Sequence, residues 1–173
     1  TASDVTFVHV DNNLELRLNN GETLTLNRFY ESDDFEIETI EFTDQTLDLA
    51  QIINRVVADA KPTGLVTGSF AFETYSHTRG DGSYIIEDFD NHYSSSGRQD
   101  KLVFTDSSAD QLTFVRVENN LELRLDNGET VTISRFYESE DFEIETIEFT
   151  DQSLTLGQIY SRVVADAKPT GFV

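Results

Sequence analysis

Displaced by 107 residues, the sequence falls on itself: Val5 to Val66 covers Leu112 to Val173 without a gap, and 48 of the 62 paired positions are identical. An internal repeat of this closeness constrains the fold more than any composition does, because both copies must settle into one supersecondary unit. The exchanges are mild, such as Leu24 for Val131, Asp33 for Glu140 and Thr46 for Ser153. A different stretch, Thr67 to Asp106, lies between the copies. The chain therefore divides into a first copy at 1–66, a linking β segment at 67–108 and a second copy at 109–173. It is expected to begin and stop inside a longer array.

Within one copy the side-chain period changes twice. Val5 to Val10 alternates, as does Leu14, Leu16, Leu18 against Glu15 and Arg17, so both stretches read as half-buried strands. Asp11-Asn12-Asn13 joins them with turn chemistry, and Asn20-Gly21 marks a second hairpin. Thr23 to Leu26 returns as a third strand with Leu24 and Leu26 facing in, and Phe29 and Tyr30 close the end of the meander. Phe35 to Phe42 reads as a strand whose apolar phase shifts near Thr39, the mark of a bulge or of a crossing between two layers. Leu49, Ile52, Ile53, Val56, Val57 and Ala60 then fall at helical spacing, with Thr46 (Ser153 in the second copy) as the expected N-cap. Lys61-Pro62-Thr63-Gly64 ends that helix. Its apolar face needs a neighbour, which a tandem array supplies from the adjoining unit.

The linking segment carries short apolar runs at Phe70 to Phe72, Tyr84 to Ile86 and Leu102 to Phe104. Arg79-Gly80-Asp81-Gly82 and the polar stretch Asn91 to Gln99 separate them. The fold class that follows is mainly β: β-roll-like or short-stranded β-layers, β-hairpin meanders, and one amphipathic α-helix per copy.

Charge narrows the partners. The 33 acidic residues outnumber 12 basic ones, for a net charge of −21. Such a chain repels phosphate backbones and anionic lipid, which argues against nucleic acid and membrane surfaces and for divalent cations. No apolar run approaches the length of a membrane span, which argues against membrane insertion. Without cysteine, thiolate chemistry, disulfides and Cys-type zinc sites are excluded. No G-x-S-x-G, phosphate-binding loop or H-E-x-x-H occurs, and carboxylate pairs are too abundant to nominate a catalytic one. The expectation is a protein that is not an enzyme.

Two strings carry a resemblance. RGDGSYIIEDFD, followed by GRQDKLVFTD, resembles the degenerate repeat of the RTX, or haemolysin-type calcium-binding, proteins. NNLELRLNNGETLTLNRFY with FEIETIEFTDQT, present twice, resembles the haemolysin-type calcium-binding protein related domain that accompanies such repeats. The resemblance implies an extracellular or cell-surface, type I secreted protein of parallel β-roll character, with calcium in the turns. Against the nonapeptide G-G-x-G-x-D-x-U-x, Gly80, Gly82 and Ile86 match, Arg79 replaces the first Gly, and Tyr84 replaces the liganding Asp.

Calcium takes six to eight oxygens, and Asp81, Glu87, Asp88, Asp90 and Asp100 are the best local supply, with Asn91 able to add a carbonyl. A second acidic run, Glu31, Asp33, Asp34, Glu36 and Glu38, recurs as Glu138, Glu140, Asp141, Glu143 and Glu145, and reads as a solvated strand face that blocks wrong pairing between near-identical repeats. His9, His77 and His92 form no motif. The expected function is a calcium-stabilised structural or adhesion spacer that contacts neighbouring repeats. A calcium-dependent module for cell-surface polysaccharide and a metal-independent acidic repeat are the alternatives.

Overall fold

The computed structural model describes residues 1–68, 73–89 and 100–167. The runs expected at Phe70 to Phe72 and Asn91 to Gln99, and the candidate ligand Asp90, lie outside them. The protein is mainly β. In the first copy β1 (Val5–Val10), β2 (Asn13–Leu18) and β3 (Thr23–Leu26) form an antiparallel meander, followed by the hairpin β4 (Thr39–Glu41) and β5 (Thr46–Asp48) and by helix α1 (Leu49–Ala60). The linking segment contributes β6 (Leu65–Thr67), β7 (Thr74–His77), β8 (Tyr84–Glu87) and β9 (Lys101–Phe104). The second copy repeats the first as β10 (Leu112–Val117), β11 (Asn120–Leu125), β12 (Thr130–Ile133), β13 (Thr146–Glu148), β14 (Ser153–Thr155) and α2 (Leu156–Ala167).

Local chemistry explains the common register. Val5 opposes Leu18 in the first copy as Leu112 opposes Leu125 in the second. Asp11 and its counterpart Glu118 turn the first hairpin with φ of 52° and 55°, a left-handed conformation that acidic turn residues tolerate better than branched ones. Each helix is bolted across the meander edge in one way. Asp59 accepts from Arg55 one helical turn earlier and from the Phe7 backbone N–H at 2.8 Å, while Arg55 Nη2 donates to Val5 O at 3.1 Å. Asp166, Arg162, Phe114 and Leu112 repeat that arrangement.

Three local expectations are corrected. The α1 N-cap is Asp48, whose carboxylate accepts from Gln51 N at 2.8 Å while Gln51 returns to Asp48 N, so Thr46 lies in β5 instead. The stretch from Phe35 to Phe42 is no continuous strand: Asp33–Phe35 forms a 3-10 turn and only Thr39–Glu41 pairs. Glu36 and Glu38 thus share no strand face. Leu24 does not face a core in the first copy, where it is 56% exposed, whereas its counterpart Val131 is fully buried.

The linking segment explains that asymmetry. β6, β8 and β12 are parallel neighbours in one sheet, and β7, β9 and β13 are parallel neighbours in a second. Going along the chain, β6 to β9 alternate between the two sheets. The inward residues Val66, Tyr84 and Ile86 of one layer and Tyr75, Leu102 and Phe104 of the other join one core with Val131, Ile133, Ile147 and Phe149. A smaller core holds the first copy together around Phe7, Leu14, Leu16, Phe29 and Ile52.

Candidate metal centre

Alternation along three strands brings three acids into the interior. Glu73, in phase with Tyr75 and His77, precedes β7 by one residue; Asp100, in phase with Leu102 and Phe104, precedes β9 by one; Asp88, in phase with Tyr84 and Ile86, follows β8 by one. Since β7 and β9 pair with Thr74 opposite Lys101, their leading acids are neighbours. The β8 strand lies in the other layer and delivers Asp88 to the same place. All three residues are buried, and one carboxylate oxygen from each lies within 4.8 Å of the other two.

Polar contacts hold this geometry. The Tyr75 hydroxyl donates to Asp88 Oδ1 at 3.0 Å, the Glu73 backbone N–H donates to Asp100 Oδ1 at 2.8 Å, and the Asp100 N–H donates to Glu145 Oε2 at 2.8 Å. Gly68 passes so close that a Cβ there would stand 2.2 Å from both Asp88 Oδ1 and the Tyr75 oxygen. Asp88 Oδ2 is buried with no hydrogen-bond partner among the described residues. Burial, then the charges of Asp100 and Glu73, push the Asp88 carboxyl well above the usual carboxylate range. Burial and the same acids likewise push up the Tyr75 hydroxyl.

Of the five acids nominated from the sequence, Asp88 and Asp100 meet at this centre. Asp90 lies outside the described residues. Glu87 is on the exposed face of β8, because a residue one step away along a strand points the other way. Asp81 is engaged elsewhere, with Lys61 Nζ at 2.7 Å and the Thr78 N–H at 3.0 Å. Burial opposes its ionisation, but Lys61, the Thr78 N–H and the charge of His77 together hold its pKa below the ordinary value. Glu73 was missed, although its signal was legible: a carboxylate in phase with Tyr75 and His77 on a strand faces inward.

The turn nominated for calcium grips a carboxylate of the protein instead. Gly80 N and Gly82 N donate to Glu129 Oε1 at 3.0 and 2.8 Å, and Arg79 pairs with Asp126 at 2.6 Å. Gly80 and Gly82 have φ of +99° and +82°; the Asp81 N–H between them closes the turn onto Thr78 O, while their own N–H groups converge on the Glu129 carboxylate. Burial raises the Glu129 carboxyl, yet the Asn127 amide and these N–H groups bring it below its ordinary value. Beside it, His77 Nε2 lies 3.7 Å from Glu129 Oε2, and burial lowers the His77 pKa. The second acidic run is also dispersed: Glu31 and Glu138 pair with Arg28 and Arg135, Glu143 takes the Tyr160 hydroxyl, and Glu145 supports Asp100.

Residues 120–151, from β11 through β13, match the model of the haemolysin-type calcium binding protein related domain. The match supports a calcium-binding, RTX-like class and rests on the second copy, which carries both Glu129 and Glu145. Among the described residues no helix is long and apolar enough to cross a membrane.

Calcium fits the centre chemically. The donors are all hard oxygens, and an ionised Asp88 Oδ2 buried without a hydrogen bond is costly unless a cation or a proton neutralises it. Glu73, Asp88 and Asp100 are the residues that would hold the ion.

Proposed function

We propose that this chain is a non-catalytic repeat module of a secreted or cell-surface RTX-type protein, in which calcium binding at Glu73, Asp88 and Asp100 is coupled to folding. The observation that carries the reading is the convergence of three buried carboxylates, one with an oxygen free of hydrogen bonds among the described residues. Bound calcium would offset two of their three negative charges. The protein's part is to supply the ligands from three separate strands, so that the site exists only when the two layers have closed. Ion binding to such a site is folding free energy.

The acidic balance suits export. A chain of charge −21 is loosened by self-repulsion where calcium is scarce, and is drawn into its folded form where calcium is millimolar. Its role outside the cell would be that of a spacer or adhesion element whose stiffness depends on the ion.

Thermal unfolding at fixed ionic strength, with chelator, with millimolar magnesium and with millimolar calcium, tests the reading. A rise specific to calcium supports it. Coincident curves in all three would leave a metal-independent acidic repeat. Glycan binding abolished by chelator would instead favour the polysaccharide module.

A further inference from the structure

The two copies share their sequence but not their surroundings, and the differences are complementary. In the first copy the outer face of α1 is covered, because the helix packs against β6 and β7. Val57 is 3% exposed and joins Val66 and Tyr75 in the larger core, and Ile53 is 8% exposed. The His9 ring lies against Tyr30, with its Nδ1 3.4 Å from Thr67 O. In the second copy the same face is open. Val164 is 42% and Tyr160 37% exposed, and with Phe114, Val115, Arg116 and Tyr137 they line a groove of about 720 Å³. Arg116 replaces His9 and stacks its guanidinium on Tyr137 at 4.3 Å, so a cation and donor still stands over the ring.

The other face is open at the opposite end. In the second copy β12 and β13 extend in parallel into β8 and β9, and Glu129 is gripped by the 78–83 turn. Among the described residues β3 is the last strand of its sheet in the first copy and β4 pairs only with β5; Leu24 and Ile37 are exposed, and Glu22, the counterpart of Glu129, is on the surface. Among the described residues, one element is thus present between the copies and on neither outer face. That element is the linking segment: β6 and β7 cover the helix of the copy before, while β8, β9 and the glycine turn engage the copy after.

We propose that the α2 groove is the docking site for a further linking segment like the one that carries β6 to β9, belonging to the next repeat of the same protein, so that copies stack head to tail in an open array. The occupant is specified by the first copy, where this segment already sits on an almost identical face. In sequence, Lys168 to Val173 repeats Lys61 to Val66 with one change, Phe172 for Leu65. A contact of this kind is heterologous and does not close, so it propagates along a chain rather than making a symmetric dimer. It rests on copy-to-copy geometry and is independent of which ion fills the acidic centre.

The test uses the absence of native cysteine. Val164→Cys is made in the 173-residue chain and in a chain lengthened by one whole period, residues 67–173 repeated after Val173. With calcium present throughout, the thiol is expected to react freely in the shorter chain and at least about tenfold more slowly in the longer one, approaching the rate of Val57→Cys in either, since reaction at a buried site waits on local opening. Val164→Lys serves as the second variant: it leaves the melting of the shorter chain unchanged and lowers that of the longer one. Equal thiol rates in the two chains would overturn the proposal. So would a concentration-dependent dimer of the shorter chain that shields Val164→Cys, seen by sedimentation, because the occupant would then be a second copy. The calcium response of the unsubstituted shorter chain is read separately, so failure of the ion reading and failure of the docking are distinguishable.

Discussion

The Tyr75 hydroxyl donates to Asp88 Oδ1 at 3.0 Å, and both side chains are closed off from solvent. That bond joins the two layers of the linking segment, since Tyr75 belongs to β7 and Asp88 follows β8 in the other sheet. It satisfies one oxygen of Asp88 and directs the other into the acidic cluster. The carboxylate is therefore an acceptor for Tyr75 on one side, while its other oxygen is buried with no hydrogen-bond partner among the described residues.

Asp88→Asn keeps an acceptor for Tyr75 while removing the charge. In chelator the variant should melt at or above the wild-type temperature, because a buried repulsion among Asp88, Asp100 and Glu73 is relieved. In calcium it should lose the stabilisation that the wild type gains. A ligand at a hundred times its Kd contributes about 2.7 kcal/mol, or roughly 5–10 °C for a chain of this length. Differential scanning calorimetry of both proteins in both buffers reads the two effects. A full calcium response in the variant would remove Asp88 from the site.

The same carboxyl sets a pH dependence. Its folded pKa lies well above the ordinary one, so between those values the native chain binds more protons than the unfolded chain. The stability it contributes is present at low pH and lost as pH rises through the raised pKa. In chelator, lowering pH through the raised pKa of Asp88 should change wild-type melting in the stabilising direction relative to Asp88→Asn. Saturating calcium favours the ionised form and should reduce or reverse the difference. Parallel pH profiles for the two proteins in chelator would contradict this.

Gly68→Ala should be costly for a residue so small. The added Cβ would stand 2.2 Å from Asp88 Oδ1 and from the Tyr75 oxygen, both held by the layers around them. A loss of about 1–3 kcal/mol is expected, as for other overpacked interiors, together with a weaker calcium response. Urea unfolding measures the first and calcium titration the second. Wild-type behaviour in both would mean that the layers open at that point.

The repeat supplies its own control for the glycine turn. Glu129→Gln weakens a carboxylate that accepts from Gly80 N and Gly82 N, and should cost about 1.5–3 kcal/mol, the range for hydrogen bonds to a charged group. Glu22→Gln changes the equivalent residue on an open surface and should cost less than about 0.5 kcal/mol. Equal effects in urea unfolding would show that the clamp contributes nothing.

Much of this protein was legible before any tertiary structure. The alternation at Val5 to Val10 and Asn13 to Leu18, the Asn20-Gly21 turn and the helical spacing from Leu49 to Ala60 are local signals, and each element formed where its period placed it. Asp88 was nominated for sharing a strand face with Asp90, and Asp100 for returning to that end after the loop; the structure buries both beside Glu73. Glu73 was overlooked because its strand is short and mostly polar, so its phase is set by Tyr75 and His77 alone. Asp81 was nominated from its glycine turn, yet its partner Lys61 comes from the end of the preceding helix, which no local pattern reveals.

What the sequence determined by itself is the repeat, the mainly β character of each copy and the acidic balance, because periodicity, turn residues and charge act over a few positions. What only the tertiary structure decided is which partner each copy receives. Leu24 and Val131, Val57 and Val164, or Glu22 and Glu129 have nearly the same neighbours in sequence and opposite environments in space. Their difference arises from the linking segment, which covers the helix of one copy and extends the sheets of the other. Burial depends on what arrives from a distance, and two equal sequences with unequal neighbours must differ there.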